Sequence, residues 1–207
     1  MPTDERIREI LEARSDAPFT HPHDGLTRAP IAESPRGYRL DRYGAVIGRG
    51  DVAFERARSA LMRFENYPVS FARVVPLREE FVPGLPFATS ACHFGFASLH
   101  PCRVTFVEDA PHRFGFGLGT LPGHIGAGEE CFRVTLDPAD ASVRYDVQAI
   151  SRPAGVLGHL GAPVFRLFQS RFRRETVEAM RRAVASDAAQ TPARASSPDE
   201  CSADRAG

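Results

Sequence analysis

The sequence predicts an α+β protein in which a long helix near the C-terminus lies across the concave face of a curved antiparallel sheet of about seven strands. Three observations carry this. From Phe71 to Ser151 apolar residues recur with period two, in short runs separated by turn signals, as in consecutive strands. From Val156 to Val184 the period changes. Leu160, Val164, Phe168, Phe172, Val177, Met180 and Val184 then fall on one broad helical face, with Arg166, Arg171, Arg173, Arg174, Glu175, Glu178, Arg181 and Arg182 on the other. Ahead of both, a short apolar strand, Tyr43 to Ile47, runs into a second helical pattern marked by Phe54, Ala57, Leu61 and Phe64.

In chain order, Asp4 to Arg14 can form a short helix with Ile7, Ile10 and Leu11 on one side. Residues 1–40 read as a partly ordered N-terminal extension, 41–185 as a single domain, and 186–207, rich in Ala, Ser, Pro, Asp and Arg, as a disordered tail. Gly48-Arg49-Gly50 turns the chain, Asp51 offers an N-cap, and the helix stops before Pro68. The strands of the series are Phe71–Val75, Phe87–Phe94, Cys102–Glu108, Arg113–Thr120, Glu129–Leu136 and Ser142–Ile150. Between them lie Pro83-Gly84, His100-Pro101, Ala110-Pro111, Pro122-Gly123 and Asp137-Pro138. Strand parity assigns faces: Phe114, Phe116, Leu118, Phe132, Val134, Leu136, Val143, Tyr145, Val147 and Ala149 should meet the helix. The same parity turns Glu130 inward and Glu129 outward, and leaves Gly115, Gly117 and Gly119 on the outer side, where they suggest a bend or bulge.

Composition narrows the function. A formal net charge of zero argues against a general nucleic-acid binder. Cys92, Cys102, Cys131 and Cys201 form no C-x-x-C pair, so neither a disulfide framework nor a zinc site is expected. Free thiols and a charged N-terminus without an apolar core point to the cytoplasm. No stretch is apolar enough to span a bilayer, and no cofactor is implied.

Gly48 to Ala53 matches G-x-G-x-x-A between a strand and a helix, the setting of a dinucleotide fingerprint. No second β-α-β unit follows and no acid closes the next strand, so a tight turn into a helix accounts for it. His21, His23 and Asp24 have the look of metal ligands but lack a fourth, and no metal is expected. Arg152 reads as a solvated loop residue, with a carboxylate pair or an anion contact as the functional alternative. The stretch from Gly119 through His124 to Glu130 is the least generic. It sets a His and two carboxylates near one sheet edge, where Glu130 and His124 are candidates for an acid/base pair or for orienting a ligand. The plain alternative is a structural hairpin in which Glu130 pairs with an Arg.

Several motifs together resemble the DUF1990 (UPF0548) family of uncharacterised proteins. They are Gly48-x-Gly50-x-x-x-Phe54, Pro101-Cys102-Arg103-Val104, Arg113-Phe114-Gly115-Phe116, Gly119-Thr120-Leu121-Pro122-Gly123-His124, Gly128-Glu129-Glu130, Ser151-Arg152-Pro153 and Gln169-x-x-Phe172. The likeness covers roughly residues 19–185. Where that family carries tryptophans, this chain has Phe64, Phe94 and Phe96. The element order is also similar to the helix-grip fold of START/Bet v 1-like proteins, which implies a small apolar or amphipathic ligand held between sheet and last helix. On that reading His124, Glu130, Tyr145, Phe116, Phe132 and Phe168 would line the site. An enzyme of cyclase, hydrolase or isomerase type using His124 and Glu130, and a domain with a simply filled core, stay open as alternatives.

Overall fold

The computed structural model describes residues 2–68, 72–93, 96–154 and 162–185, with the backbone alone for 91–93, 96–97 and 162–169. The expectations for Phe71, Phe94, Val156, Leu160 and the tail from Ser186 lie outside the described residues. The elements are α1 (Asp4–Glu12), a 3-10 turn (Leu26–Arg28), β1 (Arg39–Arg49), α2 (Gly50–Met62), β2 (Ala72–Pro76), β3 (Pro86–His93), β4 (Phe96–Ala110), β5 (Arg113–Thr120), β6 (Gly126–Leu136), β7 (Ser142–Pro153) and α3 (Ala162–Ala185). The seven strands form one antiparallel sheet in the order β1-β7-β6-β5-β4-β3-β2. β2 to β7 is a meander joined by short turns. β1 is added beside β7 because α2 carries the chain from one sheet edge to the other before the meander begins.

Two local expectations change. His100-Pro101 is not a turn: Pro101 sits inside β4, opposite Ala88 of β3. Proline fits there because its missing N–H faces the β5 side, where strand pairing begins only at Cys102, while its carbonyl still accepts from the Leu121 N–H at 3.0 Å. Asp51 is not the N-cap. Arg49 holds that position without a side-chain cap, and Asp51 lies in the first turn, where its charge complements the helix dipole. Gly50 makes the turn itself, at φ 79° with its N–H donating to the Ala141 carbonyl at 2.7 Å. A Cβ on Gly48 would lie 2.9 Å from both Ala53 and Val184, so this glycine lets strand, α2 and α3 close together.

The assigned faces hold. Phe114, Phe116, Leu118, Phe132, Val134, Leu136, Val143, Tyr145 and Val147 are buried with Phe54, Ala57, Ala60 and Leu61 of α2 and Met180 and Val184 of α3 in one core. The opposite face is covered too. Ile7 and Leu11 of α1 pack on Val75 and Ala88. The segment that follows α1 then crosses the sheet: Arg103 donates to the carbonyls of Ser15 and Ala17, Thr20 pairs with Thr120, and Ile31 donates to Gln148.

This cover explains Gly119 of β5, and the neighbouring strand explains Gly117. A Cβ on Gly119 would stand 2.6 Å from the Phe19 ring, and one on Gly117 would stand 2.3 Å from the Phe106 ring. Phe106 reaches that position because β4 shifts register between Val104 and Phe106, so a bulge does occur, on the neighbouring strand. Glu129 does point away from α3, but it does not reach solvent. It is 1 % exposed, and its carboxylate accepts from the N–H groups of Gly25 and Thr27 and from the Thr27 hydroxyl, at 2.6–2.7 Å.

Candidate functional site

Strand register lays the inner face out in rows. Phe116, Phe132, Val147 and Tyr43 form one row across β5, β6, β7 and β1; Leu118, Glu130, Ala149 and Asp41 form the next. The first row is mostly sealed: Phe116 and Phe132 are fully buried and Val147 nearly so. The second is open at its centre, where Glu130 and Ala149 keep partial exposure between the buried Leu118 and Asp41. A methyl group between two carboxylate-bearing positions leaves the floor low at that point. Tyr67, from the turn after α2, closes one side, its ring centroid 5.8 Å from Phe132 and 5.6 Å from Phe172.

Electrostatics converge on Glu130. Among the described residues it makes no hydrogen bond or ion pair. Removal from bulk water, reinforced by Asp41 and opposed by Arg173, raises its carboxyl pKa from 4.5 to about 8. Asp41 itself is satisfied, by Arg173 of α3 at 2.7 Å and Arg39 at 3.0 Å. Burial, with the Glu130 charge next, pushes the hydroxyls of Tyr43 and Tyr67 and the thiol of Cys102 upward, so all three stay neutral at physiological pH. The Tyr43 hydroxyl is buried without a hydrogen-bond partner among the described residues. Groups from β1, β4, β6, β7, α3 and the turn after α2 thus share one electrostatic neighbourhood.

Tyr145 is held differently. The Thr176 hydroxyl donates to the Asn66 carbonyl at 2.7 Å, which spends its only proton, so at 2.8 Å the Tyr145 hydroxyl is the donor to Thr176. This chain ties β7 to α3 and to the turn after α2. The Asn66 side chain lies close enough to influence Tyr145, yet neither its nitrogen nor its oxygen meets hydrogen-bond geometry with a partner among the described residues. Tyr145→Phe is expected to lower stability by about 1 kcal/mol, the worth of one buried neutral hydrogen bond, read from urea unfolding. An unchanged midpoint would show that the bond contributes nothing.

The structure does not pair the two acid/base candidates. His124 sits in the β5–β6 turn with its ring 5.0 Å from His100, and its Nδ1 lies 2.9 Å from the backbone N–H of Gly126. Burial, then His100, lowers its pKa to about 3, so it is neutral, and the groups acting on it are not those acting on Glu130. Phe116 and Phe132 are paired and buried in the row next to Glu130, while the Phe168 side chain is outside the described residues. His21 stacks on Phe19 and accepts from the His23 N–H. Among the described residues no group of three or more His, Cys, Asp or Glu could hold a metal ion.

Tyr43, Tyr67, Asp41 and Arg173 were not legible as site residues. Asp41 and Tyr43 alternate on one strand, but their meaning depends on β1 pairing with β7, a contact over a hundred positions away in sequence. Arg173 falls on the charged face of its helix and reads as solvated until Asp41 is placed beneath it.

A strand, a helix, a six-strand meander and a C-terminal helix on the inner face define a helix-grip protein. Residues 20–179 match the family described as "Domain of unknown function (DUF1990)", and the chain belongs to that family. It is 27% identical over 192 residues to a UPF0548 protein of Arabidopsis thaliana, covering 86% of this chain and 93% of the relative. It is 32% identical over 162 residues to a UPF0548 protein of Deinococcus radiodurans, covering 72% and 80% respectively. In fold it is similar to the ZhuI aromatase/cyclase of Streptomyces sp. R1128, with a TM-score of 0.53 and 13% identity over 75% of this chain and 98% of that one. Among the described residues no helix is long and apolar enough to cross a membrane.

Proposed function

We propose that this protein binds a small, largely apolar molecule on the inner face, between the sheet and α3, with Glu130 and Tyr43 as the polar groups that orient it. The observation that carries the reading is Glu130. A carboxyl group stands without a described partner at a partly exposed point of an aromatic floor, in the same electrostatic neighbourhood as a buried tyrosine hydroxyl that also has no partner among the described residues. A merely filled core would place an apolar residue there, since an unpaired acid on such a face is costly. Phe116, Phe132 and Tyr67 supply the apolar wall, and Tyr145 fixes α3 over it. Binding at concave, mostly apolar surfaces with a few converging polar groups is the common pattern for small molecules. The helix-grip likeness to an aromatase/cyclase supports a ligand between sheet and helix, although fold alone does not fix function. His124, neutral and set against His100, belongs to the turn at the end of β5 and has no part in this reading.

The test is native mass spectrometry of protein purified from its own cells without denaturation. An added mass that is lost on unfolding is expected, and the emptied protein should take up the neutral probe N-phenyl-1-naphthylamine. Protein that carries nothing and also leaves the probe unbound would overturn the proposal.

A further inference from the structure

We propose, resting on the inner-face reading above, that the molecule held there carries a basic nitrogen: a protonated amine on an aromatic or aliphatic body, its nitrogen on Glu130 among the rings of Tyr43, Tyr67 and Phe132. Charge matching leads to this class. The cations near the site are already engaged, with Arg173 and Arg39 both on Asp41. Arg173 also lies 5.7 Å from the Tyr43 ring centre, so a cation over this aromatic surface already has a precedent in the fold. Glu130 is the acid left over. A ligand carboxylate would face two acids, Glu130 and Asp41. A neutral body would leave Glu130 with no counter-charge. An ammonium group satisfies the carboxylate and gains from the negative ring faces around it.

The pairing has a proton signature. The titratable and charged groups facing Glu130 are Asp41 and Tyr43 from β1, Cys102 from β4, Tyr145 from β7, Tyr67 after α2 and Arg173 from α3. The tyrosines and Cys102 are held neutral and Asp41 is paired, so among the described groups here Glu130 is the one that titrates near neutrality. The free protein holds a proton on Glu130 below pH about 8, and an incoming ammonium must displace it. Amine affinity therefore rises with pH, by about tenfold per unit until Glu130 is ionised. A neutral ligand that accepts a hydrogen bond from protonated Glu130 would give the opposite slope.

The experiment is calorimetric titration of ligand-free wild-type protein with 2-(naphthalen-2-yl)ethylamine, the matching alcohol and 2-naphthylacetate, from pH 6 to 8.5, in buffers of different ionisation enthalpy. The amine is expected to bind at least about tenfold tighter than the alcohol at pH 8.5, the scale of one charge-assisted contact. Its affinity should rise with pH, and about one proton should be released per amine bound at pH 6, falling toward none as pH passes about 8. Glu130→Gln should keep alcohol binding and lose both the amine preference and the pH slope. Equal or tighter binding of alcohol or acid, a flat or falling amine profile, or an amine preference that survives in Glu130→Gln overturns the amine and leaves the inner-face site standing. Failure of all three compounds to bind overturns both. The wild-type pH profile alone decides the matter if the variant does not fold.

Discussion

The Glu130→Gln variant is expected to unfold at a higher temperature than wild type at pH 8.5 and at nearly the same temperature at pH 4.5, both measured without ligand. The sign follows from the shift. The folded-state pKa is raised from 4.5 to about 8, so the folded protein holds this proton more tightly than the unfolded chain does. Stability from the protonated group is complete below about pH 4.5, declines as pH rises, and is gone above about pH 8. The full shift corresponds to about 4–5 kcal/mol, and the partial exposure of Glu130 reduces this to about 3 kcal/mol. Glutamine has nothing to ionise and leaves no described cation stranded, because Arg173 stays on Asp41. For a chain of this size the gain amounts to about 6–12 °C in Tm. Such a gain, with the amine preference lost, is the behaviour of a group kept for function at some expense to the fold. A loss of several degrees at pH 8.5 would mean that Glu130 is a structural partner, and would remove the main polar anchor of the proposed site.

How far the sequence reaches depends on the range of the interactions involved. Period-two alternation placed Phe114, Phe116, Phe132, Val134, Tyr145 and Val147 on one face, and the core contains all of them. Alternation is a local property, fixed by each strand's own pleat. Parity likewise separated Glu130 from Glu129. Parity cannot say what lies above a face. Residues 13–38 cross the outer face, and the sign of this in the sequence is indirect: Gly119 of β5, where Phe19 and His21 leave no room for a Cβ. The site was legible to the same degree. Glu130, Phe116 and Phe132 could be placed from β6 and β5 alone. Asp41, Tyr43, Tyr67 and Arg173 come from elements far apart in sequence and meet Glu130 only after the sheet closes β1 onto β7 and α3 settles over it. His124 was drawn toward Glu130 by nearness in sequence, and the turn at the end of β5 gives it to His100 and Gly126 instead.

The same substitution one residue earlier is expected to act in the opposite direction. Glu129→Gln should destabilise the fold by about 3 kcal/mol, because Glu129 is an acceptor in a setting built of donors. One of its carboxylate oxygens receives the Thr27 N–H at 2.7 Å and the Thr27 hydroxyl at 2.6 Å, and the other receives the Gly25 N–H at 2.6 Å. Glutamine can keep one oxygen for Thr27, but its amide nitrogen then meets the Gly25 N–H donor to donor. Burial raises the Glu129 pKa despite these three contacts, so the site is already costly and tolerates little further mismatch. The loss should be local first. Arg28 lies over the Phe106 ring, Arg133 donates to the Arg28 carbonyl, and Gln148 donates to the carbonyls of Thr27 and Ala29, so the segment around the 3-10 turn depends on this anchor. Hydrogen exchange by mass spectrometry should register faster exchange across residues 20–34 in Glu129→Gln and no such change in Glu130→Gln. Urea unfolding of the two variants beside wild type should move in opposite directions at pH 8.5. Parallel shifts would mean that the two sides of β6 do not have the distinct roles assigned to them, one holding the N-terminal segment on the sheet and the other holding a ligand beneath α3.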